Sequence, residues 1–399
     1  MNILILSNKL PYPPIDGGAI ATLNLAYGLA ETGNRITLLA VNTKKHFFPV
    51  DRIPAEISSV MNFEAVTVDT SIRPVKLLLN LLFSSRPYIA QRFINKKFSK
   101  RLIQLLENDT FDIVQIEGPY MGYYIPIIRK YSSARIALRA HNLEHEIWKR
   151  KWMNEKNPLK KRYIRNLSHR IKKLEIWVLN SVDMLVAISH RDEELLKKLS
   201  PGIKSVTIPT GFNCTDYHPS PIPDTKDIFF IGALDWGPNQ EGLQWFLKEV
   251  FHLLLKENPN LGFHIAGRNA SDTFISKIAH PAITFHGEVE NASQFMAEHM
   301  IMTVPLLSGS GIRIKILEGM ALGKCIVTSS IGAEGIPAID GKHLLIANDS
   351  VTFARKLSEA INNKKLVKDI AANARKLVQE NFDTFAVASR LGDAYKEIL

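Results

Sequence analysis

Short apolar, β-like runs alternate with helix-periodic stretches along almost the whole chain, and the alternation breaks only once. In the first half the runs are Ile3–Ser7, Arg35–Val41, Ala65–Val68, Ile113–Ile116, Ile136–Arg139, Met184–Ile188 and Ser205–Ile208. Helical patterns fill most of the gaps, including 19–31, 95–108 and 158–180. Strands alternating with helices imply a parallel sheet covered by helices on both faces. Between Pro209 and Lys226 the pattern stops, and Pro209, Pro219, Pro221 and Pro223 punctuate a stretch without periodicity. It then restarts with Ile228–Ile231, Phe263–Ala266, Ile283–Phe285, Met302–Pro305, Cys325–Thr328 and Leu344–Ile346. A chain of 399 residues exceeds what one core usually holds. The expectation is an α/β chain of two doubly wound, Rossmann-like domains, 1–208 and 227–384, joined by a linker at 209–226.

Apolar residues make up 46% and charged residues 22%, the balance of a soluble globular protein. Apolar stretches such as Leu77–Phe83 fall far short of the ~20 residues that span a bilayer. The opening Met-Asn-Ile-Leu-Ile-Leu-Ser has no positive n-region and suits a first strand, not a signal peptide. Cys214 and Cys325 form no metal-spacing pattern, and a cytoplasmic location is expected. The net charge of +11 is concentrated: residues 149–173 carry eleven Lys or Arg against Glu155 alone. Trp148, Trp152 and Tyr163 are interleaved with them, and Trp177 follows. Cations and aromatics so mixed suit an anionic membrane surface, at about 1 kcal/mol per cation. A merely solvated helix face ranks second, and nucleic acid last.

The segment from Pro305 to Gly335 carries the most chemistry. An apolar run ends at Pro305, glycines follow at 309 and 311, a helix is expected over 312–321, and another strand begins at Cys325. Strand, Gly-rich turn and helix is the unit whose helix N-terminus receives an anion. Arg313 and Lys315 stand in the first turn of that helix, where cations oppose the dipole by up to about 1 kcal/mol each. A phosphate between them would reverse that sign. Glu318, on the same helix face, could accept hydrogen bonds from ribose hydroxyls. The alternative is an exposed Lys315–Glu318 ion pair beside ordinary turn glycines.

Three further segments follow strands and should open on the same ligand. Gly17 and Gly18 follow the first strand, where paired glycines let backbone approach an anion. His141, after the 136–139 run, could orient a sugar hydroxyl or handle a proton. The loop Gly232-Ala-Leu-Asp235-Trp-Gly-Pro-Asn239 follows the first strand of the second domain and suits either a ligand loop or a capped turn. No CxxC, HExxH, GxSxG, Walker-type or Asp-x-Asp motif is present, so neither metal nor cofactor is expected.

Taken together, these segments resemble the retaining nucleotide-sugar glycosyltransferases of the GT-B fold, of the bacterial family 4 type. The strongest part is Gly309-Ser-Gly-Ile-Arg-Ile-Lys-Ile-Leu-Glu-Gly-Met-Ala-Leu-Gly-Lys, followed by Ile331-Gly-Ala-Glu334-Gly-Ile. Asp16-Gly17-Gly18, His141-Asn-Leu-Glu144 and Asp235-Trp-Gly-Pro-Asn239 match the family's other recurring stretches. The resemblance implies two Rossmann-like domains facing across a cleft, with the C-terminal helix, about 385–399, completing the first. It also implies transfer from a UDP- or GDP-sugar to a saccharide or lipid-linked saccharide in cell-surface polysaccharide synthesis.

By that resemblance Glu318 is the second Glu of the family's E-x7-E motif and holds the ribose. The first Glu is replaced by Ser310, which leaves backbone amides of the 309–311 turn to meet the sugar. His141, Arg313 and Lys315 become the expected catalytic residues. Gly17, Gly18, Asp235, Asn239, Gly309, Ser310, Gly311, Ile312, Glu318 and Glu334 become the expected donor-binding residues. With no evident carboxylate nucleophile, front-side attack with retention is expected. The 16–18 turn would help clamp phosphate or acceptor as the domains close. The enzyme would work without metal, bind no nucleic acid, and rest on the inner face of the membrane through 149–173. Two rivals remain: a GT-B-fold sugar-nucleotide epimerase, and a non-catalytic basic protein that binds membranes or nucleic acid.

Overall fold

The computed structural model of the chain describes residues 1–15, 17–309 and 312–399, with all their side chains except that of Lys45. They form two compact units, Met1–Gly211 with Thr384–Leu399, and Phe212–Asp383.

The first unit is built on seven strands: β1 (Asn2–Ser7), β2 (Arg35–Thr43), β3 (Asn62–Val68), β4 (Ile113–Glu117), β5 (Arg135–Ala140), β6 (Met184–Ala187) and β7 (Lys204–Thr207). All neighbours pair in parallel, in the order β3-β2-β1-β4-β5-β6-β7. Side chains alternate across a strand, so successive residues feed two cores. Leu4, Leu6, Val114, Ile116, Ile136 and Leu138 enter one. Ile3, Ile5, Ile113, Ala137, Met184 and Val186 enter the other. Both faces are apolar because both are covered, as parallel sheets require.

The helix Thr384–Lys396 closes the second of these cores with Val387, Leu391 and Tyr395. It lies tight on the first helix, Gly17–Glu31: a Cβ at Gly28 would come within 2.9 Å of both Ala388 Cβ and the Thr384 carbonyl oxygen. That helix begins two residues before the expected Ala19, so Gly17 and Gly18 form its first turn.

The basic segment folds as two helices, Glu144–Asn154 and Pro158–Leu179. Leu143, the N-cap of the shorter one, has no capping side chain. Glu175 of the longer helix does this work instead. Its carboxylate accepts from the Glu144 and His145 amides at 2.8 and 3.2 Å and from His145 Nδ1 at 2.5 Å. The buried carboxylate thereby satisfies orphan N–H groups of the facing helix.

The second unit repeats the architecture with six strands: β8 (Asp227–Ile231), β9 (Gly262–Ala266), β10 (Ile283–Gly287), β11 (Ile301–Val304), β12 (Cys325–Thr328) and β13 (Leu345–Ile346). They too are parallel, ordered β10-β9-β8-β11-β12-β13. Ile228 and Phe230 enter one core and Phe229 the other. The proline-rich stretch after Pro209 is not free linker throughout, because Phe212 and Cys214 are buried in the second unit's core. The helix expected at 241–256 runs over 237–257 and contains a π turn at Phe246–Phe251.

Candidate functional site

In each sheet the strand order reverses once, between β1 and β4 and between β8 and β11. Ligands of doubly wound sheets bind at the carboxyl ends of strands beside that reversal. Each unit places a polar cluster there.

In the second unit the cluster stands after β8 and β11. The helix following β11 is Ile314–Ala321, two residues shorter at its start than expected, and Arg313 is its N-cap residue. It lies close to the sheet because residue 319 is glycine; a Cβ there would come 2.7 Å from Met302 Sδ on β11. The helix Gly237–Trp245 presses on the strand end in the same way, since a Cβ at Gly242 would overlap the Pro305 carbonyl oxygen. These two close approaches bring the two loops together.

Arg313 is buried, 7% exposed, with its guanidinium carbon 5.6 Å from the centre of the Trp236 ring. Gly309, at φ +131°, leaves the space the guanidinium occupies: a Cβ there would be 2.6 Å from Arg313 Nη2. Burial pulls the Arg313 pKa down, and Glu334 acts in the opposite sense. Lys315 Nζ sits 4.1 Å from the centre of the Phe230 ring and donates to Asn239 Oδ1 at 2.9 Å. Asn239, itself buried, is held by its Nδ2 donating to the Ala233 carbonyl at 2.7 Å. Burial first, and then the Arg313 charge, push the Lys315 pKa down to about 7; Glu318 pulls the other way. The Glu318 carboxylate accepts from Tyr217 Oη at 3.1 Å, and burial raises its pKa. Ile312 packs under Gly335, at φ +82°, where a Cβ would come 2.7 Å from Ile312 Cγ1.

The structure thus gathers Asn239, Gly309, Ile312, Arg313, Lys315, Glu318 and Glu334 around one turn. Asp235 is exposed, and its carboxylate accepts from Asn269 Nδ2 at 3.1 Å. Ser310 and Gly311, like Asp16, lie outside the described residues.

In the first unit, Glu117 ends β4 and is almost completely buried, 3% exposed. It accepts hydrogen bonds from Thr22 Oγ1 at 2.9 Å, from Gln115 Nε2 and from His141 Nε2. Gln115 in turn accepts from Tyr395 Oη at 2.5 Å, which ties the C-terminal helix to the cluster. Burial alone would raise the Glu117 pKa, but His141, Arg139 and the hydrogen bonds outweigh it and hold the carboxyl at about 2. A pocket of about 120 Å³ opens beside this pair, lined by Ser7, Gly18, Thr22, Tyr120 and His141 among others. Gly18 and His141 therefore share one pocket wall, while Gly17 is exposed at the start of the helix.

Sequence reasoning overlooked Glu117, Thr22 and Tyr217, and took Trp236 only as part of the 235–239 stretch. One signal was present for Glu117: a lone carboxylate at the carboxyl end of the apolar run Ile113–Ile116. Nothing local marks Tyr217, which meets Glu318 from 101 residues away.

Residues 15–216, just over half of the chain, match the family model described as Glycosyltransferase Family 4. Residues 225–363 match the one described as Glycosyl transferases group 1. An uncharacterized 44.6 kDa protein in the cps region of Klebsiella pneumoniae is 26% identical over 98% of both chains. Among solved structures, sucrose-phosphate synthase from Thermosynechococcus elongatus is similar with a TM-score of 0.66 and 16% identity, covering 100% of this chain and 99% of that one. The Anabaena HepE structure in complex with UDP is similar with a TM-score of 0.64 and 13% identity, covering 100% of both chains. These likenesses show the fold, two parallel α/β units of the GT-B kind. On the family match and that fold, the chain belongs to glycosyltransferase family 4 and is a GT-B glycosyltransferase.

Proposed function

We propose that the chain transfers a sugar, with retention, from a UDP- or GDP-sugar to a saccharide or lipid-linked saccharide in cell-surface polysaccharide synthesis. One observation carries this reading. Two cationic side chains stand at one strand–helix turn, Arg313 buried and Lys315 half-buried, and Lys315 is bonded to a neutral carboxamide rather than a carboxylate. Lys315, half-buried beside a second cation, is costly to keep charged without a counter-charge. A diphosphate supplies it, and the two cations then stabilise the charge that develops as the nucleoside diphosphate leaves. Glu318 takes ribose hydroxyls, as its half-buried carboxylate and the neighbouring Tyr217 hydroxyl allow.

In the transfer, the bond from the anomeric carbon to the phosphate oxygen breaks while the acceptor oxygen bonds to the same face. The acceptor's proton passes to the departing phosphate oxygen. His141, oriented by Glu117, positions a sugar hydroxyl. The two cations fill the electrostatic role a divalent ion plays at other diphosphate sites, so turnover is expected to persist in chelator. The cps-region relative supports a place in surface-polysaccharide synthesis, and the UDP held by the HepE structure supports a nucleotide donor.

An anionic membrane surface is the proposed platform for the acceptor. Beside the basic helix pair lies the helix Pro74–Phe83, with Val75, Leu78, Leu79, Leu82 and Phe83 all exposed. Arg170 ties it to the basic segment, donating to the Asn80 and Leu81 carbonyl oxygens at 3.1 and 3.0 Å. Met153 and Leu159, near the turn between the two basic helices, are exposed as well. Apolar side chains flanked by cations match an interface of lipid tails and anionic headgroups. No helix among the described residues is long and apolar enough to cross a membrane.

Arg313→Ala tests the donor site. Loss of most transfer activity is expected, and near-normal turnover would refute the phosphate assignment. Incubation with UDP-sugar and no acceptor separates transfer from epimerisation: epimerised sugar without free UDP would favour the latter.

A further inference from the structure

We propose that the second unit carries a site for a divalent transition metal such as Zn²⁺, built from His264, His286 and His299 with Asp227 behind them. The three imidazoles each present a ring nitrogen, all within 4.8 Å of one another. Their sequence positions are far apart, and the sheet brings them together. His264 lies in the middle of β9, and His299 precedes β11. His286 falls where the pairing of β10 with β9 shifts register, between Phe285 and Gly287. Such a bulge re-aims a side chain, and here His286 Nε2 comes 3.0 Å from His264 Nδ1.

The hydrogen bonding selects the tautomers that a metal needs. Asp227 Oδ2 accepts from His299 Nδ1 at 2.9 Å, which leaves Nε2 of that ring with its lone pair. His299 is 7% exposed, and its Nε2 has no hydrogen-bond partner among the described residues. A buried nitrogen in that condition calls for an explanation. His264 Nε2 lies 3.9 Å from the same Asp227 oxygen, so the carboxylate also favours the tautomer in which His264 Nδ1 is free to ligate. Asp227 is itself fixed by the Met300 amide at 2.8 Å and the Thr225 hydroxyl at 2.9 Å. Carboxylate–histidine–metal order is the usual outer shell of a metal-bound imidazole.

Binding needs a small turn of the rings, because His264 and His299 stack at 4.1 Å, and it needs His286 with its proton on Nδ1. Three imidazoles suit Zn²⁺, Ni²⁺ or Cu²⁺ over Mg²⁺ or Ca²⁺. His286 is exposed, so water reaches the fourth position. Asp227 and His299 lie at the amino ends of β8 and β11, His264 in the middle of β9, and His286 next to the last residue of β10. Arg313 and Lys315 stand beyond the carboxyl end of β11, whereas His299 precedes its first residue, and the ion is given no part in donor binding. Its effect is to clamp β9 and β10 to the segment before β11.

The full chain, stripped with chelator and dialysed against Zn²⁺, should retain one ion per chain and gain thermal stability from it. Co²⁺ in its place should give the intense visible absorption of a near-tetrahedral site. His286→Gln alters an exposed side chain and should fold normally, yet weaken Zn²⁺ retention by at least about tenfold, with Asp227→Asn weakening it less. His190→Gln, at an exposed histidine in the other unit, should change nothing. Substoichiometric retention by the wild type, or equal retention by His286→Gln, would overturn the site.

Discussion

Lys315 Nζ donates to Asn239 Oδ1 at 2.9 Å, joining the helix that follows β11 to the helix that follows β8. The contact holds an ammonium in place without neutralising it. Burial and the Arg313 charge push the Lys315 pKa down to about 7, so the charge on this side chain changes near neutral pH. A diphosphate binds the protonated form. Donor affinity should therefore be full below about pH 7 and fall above it, approaching tenfold per pH unit, as one proton must be taken up for each donor bound. Calorimetric titration of UDP or GDP against pH checks this. Affinity that stays constant into the alkaline range would show that Lys315 does not meet the phosphate.

The same depressed value has a consequence for stability. A lysine whose pKa falls on folding, from 10.5 toward 7, penalises the folded state most at low pH, and the penalty is relieved as pH rises between those values. Lys315→Met removes it. This variant should gain about 1 kcal/mol in unfolding free energy at neutral pH without nucleotide, while losing donor binding. A variant that is both less stable and inactive would mean that Lys315 holds the fold together instead.

Glu117 acts with the opposite sign. Its pKa is lowered, from 4.5 to about 2, so the stability it contributes is present above 4.5 and lost as pH falls toward 2. Arg139, fully buried, gains its countercharge mainly from Glu117. Glu117→Gln should cost about 3–5 kcal/mol, the usual result of removing one partner from a buried pair. It should also flatten the acid limb of the stability profile. Denaturant melts of both proteins between neutral and acid pH measure this, and parallel profiles would refute it.

Gly242 faces the Pro305 carbonyl oxygen with no room for a methyl group. Gly242→Ala should destabilise the second unit by about 1–3 kcal/mol through overpacking. It should also raise the donor KM more than it lowers kcat, because the strain falls on the turn from Pro305 to Ile312. Unchanged stability and KM together would show that the helix simply shifts to make room.

The exposed apolar helix Pro74–Phe83 should govern membrane attachment. Leu79→Glu with Leu82→Glu changes only exposed positions and should leave the melting temperature and turnover of a water-soluble acceptor intact. Sedimentation with phosphatidylserine vesicles should drop by at least about tenfold, and salt should weaken what remains. Undiminished sedimentation of this variant would assign membrane binding to the basic helices alone.

The strands were legible throughout: each run from Ile3–Ser7 to Leu344–Ile346 overlaps a strand of the structure. Their boundaries shifted where a polar residue continues the strand, as at Glu117 and Asp227, since hydropathy marks burial rather than backbone pairing. The expected pair Arg313 and Lys315 was legible as cations at a strand–helix turn. Its surroundings were not. Trp236 beneath Arg313 and Tyr217 against Glu318 come from other loops, and no periodicity links such positions. Asp235 was named from its motif, and its hydrogen bond from Asn269, which follows β9, was likewise not legible in the sequence.

The chain alone determined that parallel strands and covering helices would form twice, because apolar runs of strand length must be buried on both faces. It also determined where cations and glycines would follow strands. Only the tertiary structure decided what those residues would meet. Glu117 became a carboxylate held by three donors, Lys315 an ammonium over a phenyl ring, and His264, His286 and His299 a cluster, through packing between segments distant in sequence. The physical reason is that periodicity is local, while desolvation and charge pairing depend on which strands lie side by side.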